Sequence, residues 1–144
     1  MTLARDMLEA SPVKSVLTAD DVAAAIDAGM TCAQACTSCA DSCLAEEEVA
    51  ALRRCVALCV ACADLCATTV GLLSRPYGAE HAVTHRALKA CVRACGSSAE
   101  ECERHAAHHH HCALCAKACR ACIQACNTLL EADAFKELEK LAGA

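Results

Sequence analysis

The chain is almost without aromatic residues: one Phe, one Tyr and no Trp in 144 residues. That removes the stacking platform on which single-stranded nucleic acid is held. A net charge of −5 removes the basic footprint as well, so no nucleic acid is expected as a partner. No apolar run approaches the ~18 residues of a membrane span, and no membrane partner is expected either. Met1 to Lys14 holds neither a long apolar core nor a twin-arginine pair, which points to a cytoplasmic chain. That compartment keeps thiols reduced, so a disulfide framework is disfavoured.

What fills the place of the missing aromatics is sulfur. The hydrophobic fraction is 56%, and 16 residues are cysteine. A protonated cysteine behaves as a small hydrophobe and is often buried. A core built of thiols is therefore physically acceptable, and the metal-free protein is expected to be folded.

The cysteines are periodic. Cys32, Cys36, Cys39 and Cys43 follow C-x3-C-x2-C-x3-C, and so do Cys55, Cys59, Cys62 and Cys66. Cys115, Cys119, Cys122 and Cys126 repeat the pattern, with Cys112 one turn earlier. A further copy has Cys91, Cys95 and Cys102, with Ser98 where the remaining thiol would stand. At about 100° per residue, each set falls on a helical stripe roughly 60° wide. An internal repeat of this kind dominates everything else in the chain.

The phase between stripes locates the turns. If the first helix ran on through Cys55, the second stripe would sit about 120° from the first, and a helix through Cys102 to Cys115 would separate those stripes by about 140°. Turns near Glu46–Glu48 and Ala106–His110 remove both conflicts. Ser74 to Gly78 is a third loop. The expected fold is all-α: an antiparallel four-helix bundle with a Cys-lined core. Its helices run from about Thr18 to Glu46, Val49 to Leu73, Ala79 to His105 and His110 to Leu130. Short helical segments flank it, one over residues 1–10, broken by Ser11-Pro12, and one from Ala134 to Leu141. The chain is expected to be a single domain over 1–144, with a core at about 18–132 and flanks at 1–17 and 133–144.

Antiparallel order sets the register. Cys43, Cys55, Cys102 and Cys115 lie toward one end, and Cys32, Cys66, Cys91 and Cys126 toward the other. The second end continues into Leu88, Val70, Leu73, Leu129 and Leu130, an apolar plug. The first continues into His105 and His109, with Glu46 and Glu47 nearby, a polar mouth.

Side chains at i and i+4 have Cβ atoms about 5–6 Å apart. A metal between two thiolates at ~2.3 Å, taking zinc–sulfur lengths as a stand-in, needs sulfurs roughly 4–5 Å apart. C-x3-C on one face suits such a bridge, and low-coordinate thiolate binding suits Cu(I). One Cu⁺ per thiolate also leaves the interior near neutral, whereas Zn²⁺ in four thiolates leaves two negative charges per site in a low-dielectric tube. The reading is a store and buffer of multiple Cu(I) ions, without catalytic turnover. The expected ligands are all sixteen cysteines, with His105 and His109 at the mouth, where imidazole nitrogen is a suitable ligand for incoming metal. His81 and His85 lie off the stripe and read as surface residues. Met30 points away from the cysteines and reads as external packing. Glu46 and Glu47 read as solvated.

The pattern resembles the bacterial copper storage proteins, in particular their cytosolic branch. The residues that carry the likeness are Cys32–Cys43, Cys55–Cys66 and above all H-C-A-L-C-A-K-A-C-R-A-C-I-Q-A-C from His111 to Cys126. The resemblance implies a four-helix bundle that stores many Cu(I) ions and assembles as a homotetramer. It places the mouth ligands on His105 and His109, and its candidate partners are a copper chaperone or exporter. Ser98 departs from a full set of thiols. Three other readings compete. An iron–sulfur, ferredoxin-like carrier would use compact sets of four cysteines, often beside a Pro, and no C-P pair occurs. A thiol enzyme would expose one activated thiolate. A zinc store or general metal buffer would prefer Zn²⁺ in direct competition.

Overall fold

The computed structural model describes residues 2–142, all-helical where regular. Six helices follow in order: α1 Leu3–Ala10, α2 Ala19–Ala45, α3 Val49–Leu73, α4 His81–His105, α5 His110–Leu130 and α6 Asp133–Ala142. Thr18 opens α2, its hydroxyl accepting from the Asp21 N–H at 3.3 Å. Asp20 and Asp21 in the first turn favour the positive end of the helix dipole. Helices α3, α4 and α5 begin without a side-chain cap. The breaks before α3 and α5 are therefore attributable to the phase jump between cysteine stripes, since a continuous helix would turn the next stripe out to water.

The four long helices form a square. Helices α2 and α4 each pack against α3 and α5, while the backbones of the diagonal pairs stay apart. Helix α1 lies against α2, and α6 reaches α4 and α5. The central space between diagonal helices is filled almost wholly by cysteine. At the closed end, Leu73, Leu88 and Leu129 are buried, with Val70 and Leu130 packed against them. Phe135 of α6 completes this plug and is itself fully buried.

Two expectations need correction. His85 is not a surface residue. Its ring is 5% exposed and lies 5.2 Å from the ring of Phe135, and His81 stacks on the same ring at 4.4 Å. Both were off the cysteine stripe, but α6 folds back and covers them. Apolar character also runs further than the sequence reading allowed: among the described residues, α3 is one helix long and apolar enough to cross a membrane. Cys55, Cys59, Cys62, Ala63 and Cys66 face the interior, but only 28% of the apolar stretch is buried within the chain, and Asp64 interrupts the run.

Helices α2 and α3 meet tightly at Gly29. A Cβ on Gly29 would sit 2.7 Å from Val70 Cγ2, so the absence of a side chain there sets how tightly the two helices meet.

Candidate metal centre

All sixteen cysteines are unpaired and buried, and none is more than 2% exposed. Their sulfurs form rungs. Between α3 and α4 these are Cys66–Cys91 at 3.7 Å, Cys62–Cys95 at 3.4 Å and Cys55–Cys102 at 3.6 Å. Between α2 and α5 they are Cys32–Cys119 at 3.7 Å, Cys36–Cys115 at 3.6 Å and Cys39–Cys112 at 3.9 Å. Sulfurs also meet across the diagonals: Cys32–Cys95 at 3.9 Å, Cys59–Cys115 at 3.8 Å and Cys66–Cys122 at 4.0 Å. The diagonal contacts matter most, because the backbones of the helices they join stay apart. The thiols are the axis of the bundle.

Several sets of donors are close enough to share an ion. Cys32, Cys36, Cys62 and Cys119 lie within 4.8 Å of one another, as do Cys39, Cys59, Cys102 and Cys115. Toward the closed end the series continues with Cys32, Cys66, Cys95 and Cys122, and then Cys91, Cys122 and Cys126. Toward the mouth it ends in a mixed set, Cys39, Cys43, Cys112 and His111. The sulfur positions thus match the register expected from helix direction. Soft donors this dense, in a space closed to water, suit a soft metal ion and leave a hard one without oxygen ligands.

The histidines divide. His111 Nδ1 lies 3.4 Å from Cys39 Sγ and 3.6 Å from Cys112 Sγ. Its other nitrogen, Nε2, lies 2.8 Å from Glu46 Oε2. A proton on Nε2, donated to that carboxylate, leaves Nδ1 with its lone pair toward the sulfurs. His109 is turned to carboxylates instead, Nδ1 at 2.8 Å from Glu46 and Nε2 at 3.4 Å from Glu48. His105 Nε2 lies 2.9 Å from Glu101 Oε2, a carboxylate that is nearly buried. His105 and His109 are both at the mouth, yet the imidazole against the thiols is His111. The stripe argument passed over it because it stands one residue before Cys112, about 100° off the stripe. It reaches inward only because it sits in the first turn of α5. Glu46, read as solvated, is half-buried and joins two of the three rings. Glu47 is exposed.

Charge is arranged to match. The hydrogen bond from His111 holds the Glu46 carboxyl below the usual carboxylate range. Burial pushes the Cys112 thiol up to about 12 and raises Cys43 as well. Without metal, these mouth thiols keep their protons, and a metal must displace them to bind.

Residues 18–131 match the profile of a family described as copper storage protein. The chain is similar to the copper storage protein Ccsp from Streptomyces lividans in a structure loaded with 10 copper equivalents. The identity is 43%, covering 88% of this chain and 97% of that one, with a TM-score of 0.86. A second structure, of copper loading to a cytosolic copper storage protein from Streptomyces lividans with five coppers, shares 46% identity over 78% of this chain and 94% of that one, at a TM-score of 0.77. A histidine-to-alanine variant of Streptomyces lividans Ccsp shares 45% identity over 79% of this chain and 95% of that one, also at 0.77. No curated protein matches the sequence.

Proposed function

The chain belongs to the copper storage protein family, and on that footing we propose that its sulfur column holds copper as Cu(I), loaded at the His-lined mouth and released by the same route. The observation that carries this is the meeting of buried, unpaired thiols across the bundle diagonals. Sulfur–sulfur separations of 3.4 to 4.0 Å need only a small expansion to accept an ion between them. With metal–sulfur bonds of ~2.3 Å, a three-coordinate ion spaces its sulfurs by about 4 Å. Helices joined by short loops can open that far without repacking.

Thiolates from all sixteen cysteines, Cys32 to Cys126, are the ligands in this reading. His111 supplies a nitrogen at the threshold, and His105 and His109 receive copper outside it. Binding exchanges thiol protons for metal, so no bond is made or broken in a substrate and the protein turns nothing over. The cytosolic relative from Streptomyces lividans supports the same compartment here, where a reducing environment keeps the thiols free. Partners in this reading are a copper chaperone or exporter and, through assembly as a homotetramer, further copies of the chain. The exposed Leu3, Met7 and Met30 beside α1 and α2 favour a covered face of that kind.

Anaerobic competition against a strong Cu(I) chelator, run beside a Zn²⁺ titration, tests the reading. Copper retained against the chelator, with zinc displaced by copper, is the expected result. Preferential zinc retention, or visible iron–sulfur absorption in the protein as isolated, would overturn it.

A further inference from the structure

Buried polar groups in a folded protein nearly always have a hydrogen-bond partner. Among the described residues, the buried side-chain nitrogens and oxygens that lack one are His81 Nε2 and His85 Nε2. These two residues open α4, and their i, i+4 spacing puts them on one face, a turn apart. His85 is buried. Both rings stack on Phe135 of α6, which gives the pair an apolar wall.

A carboxylate stands beside them. Glu139 follows Phe135 by one turn of α6, and its Oε1 lies 3.0 Å from His85 Nε2, out of line for a hydrogen bond. Lys89 Nζ lies 2.8 Å from the same oxygen, and that ammonium holds the Glu139 carboxyl below the usual carboxylate range. The cluster is therefore two imidazoles and an ionised carboxylate, drawn from two helices, and its donors are nitrogen and oxygen.

A neutral imidazole with its proton on Nδ1 presents a lone pair at Nε2. Two histidines four residues apart on a helix face form a chelate for Zn²⁺. Two histidines with one glutamate are a ligand set that zinc takes in proteins, and water can fill the fourth position. Imidazole and carboxylate suit such a borderline divalent cation, whereas soft Cu(I) is drawn to thiolates. From this cluster we infer that His81, His85 and Glu139 form a binding site for a divalent cation of the Zn²⁺ class, separate from the sulfur column, which staples α6 onto α4. The Lys89 side chain, 43% exposed, turns to water as the cation takes its place on the carboxylate. The staple closes α6 over the plug of Leu73, Leu88 and Leu129 and adds nothing to the ligands of the column.

The test uses Co²⁺ as a stand-in for Zn²⁺, because its visible d–d bands report ligation and sulfur ligation adds charge-transfer absorption. The reduced chain is first saturated with Cu(I), so that the thiols are occupied, and is then titrated anaerobically with Co²⁺. Uptake of about one Co²⁺ per chain is expected, with d–d bands, no sulfur charge transfer, and displacement by Zn²⁺. The bands should be lost in His81→Ala and His85→Ala and weakened in Glu139→Gln, which keeps the shape of the side chain. Each variant is checked for helicity. Hydrogen exchange of the Cu(I)-loaded wild-type chain gives a reading that needs no variant: Zn²⁺ should slow exchange in α6. When copper displaces zinc from the thiols, about one Zn²⁺ per chain should likewise remain. Absence of Co²⁺ uptake, bands that persist unchanged in all three variants, or α6 exchange that Zn²⁺ leaves unaltered would overturn the site and leave copper storage untouched.

Discussion

His111 and Glu46 are joined at 2.8 Å across the mouth of the bundle, and that bond decides which imidazole nitrogen faces the thiols. With Nε2 committed to the carboxylate, Nδ1 is left toward Cys39 and Cys112. Glu46→Gln removes the charge that fixes this tautomer. Loss of such a partner typically costs 10–100-fold in metal affinity. The first copper equivalents should therefore bind about 10-fold more weakly in the variant, with total capacity unchanged. Chelator competition at low copper loading measures this, and an equal loss at every loading level would contradict it.

The pH dependence of the metal-free protein follows from the mouth thiols. Burial raises Cys112 to about 12 from an ordinary 9.0, so the folded state favours the protonated form. That contribution is complete below the ordinary value and is lost as pH climbs toward the raised one. The reduced apoprotein should be less stable to urea at about pH 10 than at about pH 7. Copper affinity should move the opposite way, rising with pH as thiols become easier to deprotonate. At the acid end, Glu46 is held below its ordinary 4.5, so its pairing with the histidines is present above that value and fades as pH falls through the lowered one.

Gly29→Ala places a methyl 2.7 Å from Val70 Cγ2. Overpacking of this kind costs about 1–3 kcal/mol, against a helix-propensity gain of about 1 kcal/mol for replacing Gly. A net loss of about 1 kcal/mol is expected in urea denaturation of the apoprotein. Adding Val70→Ala should relieve the clash between the two sites, and a double-mutant cycle in which the two changes merely add would refute the close-approach explanation.

Phe135→Ala opens the closed end. The ring is fully buried and holds both His81 and His85. Phe-to-Ala changes in cores cost about 3–5 kcal/mol. Because α6 is a short terminal helix touching only α4 and α5 among the described helices, the damage should be local. Hydrogen exchange should show α6 and the first turn of α4 losing protection while the cysteine-bearing turns keep theirs. Global unfolding would mean that the plug, not the column, holds the bundle together.

How much of this was legible in the chain varies with the kind of information needed. The cysteine column and both glycine-free turns follow from helix phase alone, because a stripe must face inward and only a turn can realign two stripes. His111 was not singled out, since a helical wheel places it off the stripe and the inward reach depends on its position in the first turn of α5. The burial of His81 and His85 depends on where α6 lands, which no periodicity in α4 encodes. Ser98 lies between these cases: the gap in the pattern is visible in the sequence, but the contact of its Oγ with Cys36, Cys59 and Cys119, on three different helices, is a property of the assembled axis. Gly29 is similar, an ordinary helical glycine until Val70 is placed against it.

The central claim is that the buried sulfurs act together as one soft-metal store. It is tested most directly by saturating the reduced protein with Cu(I) under anaerobic conditions, counting copper per chain and titrating the thiols that remain reactive. The account predicts on the order of one copper per cysteine, with reactive thiols vanishing in step with loading. Saturation at one or two ions, with most of the thiols still free to react, would contradict it.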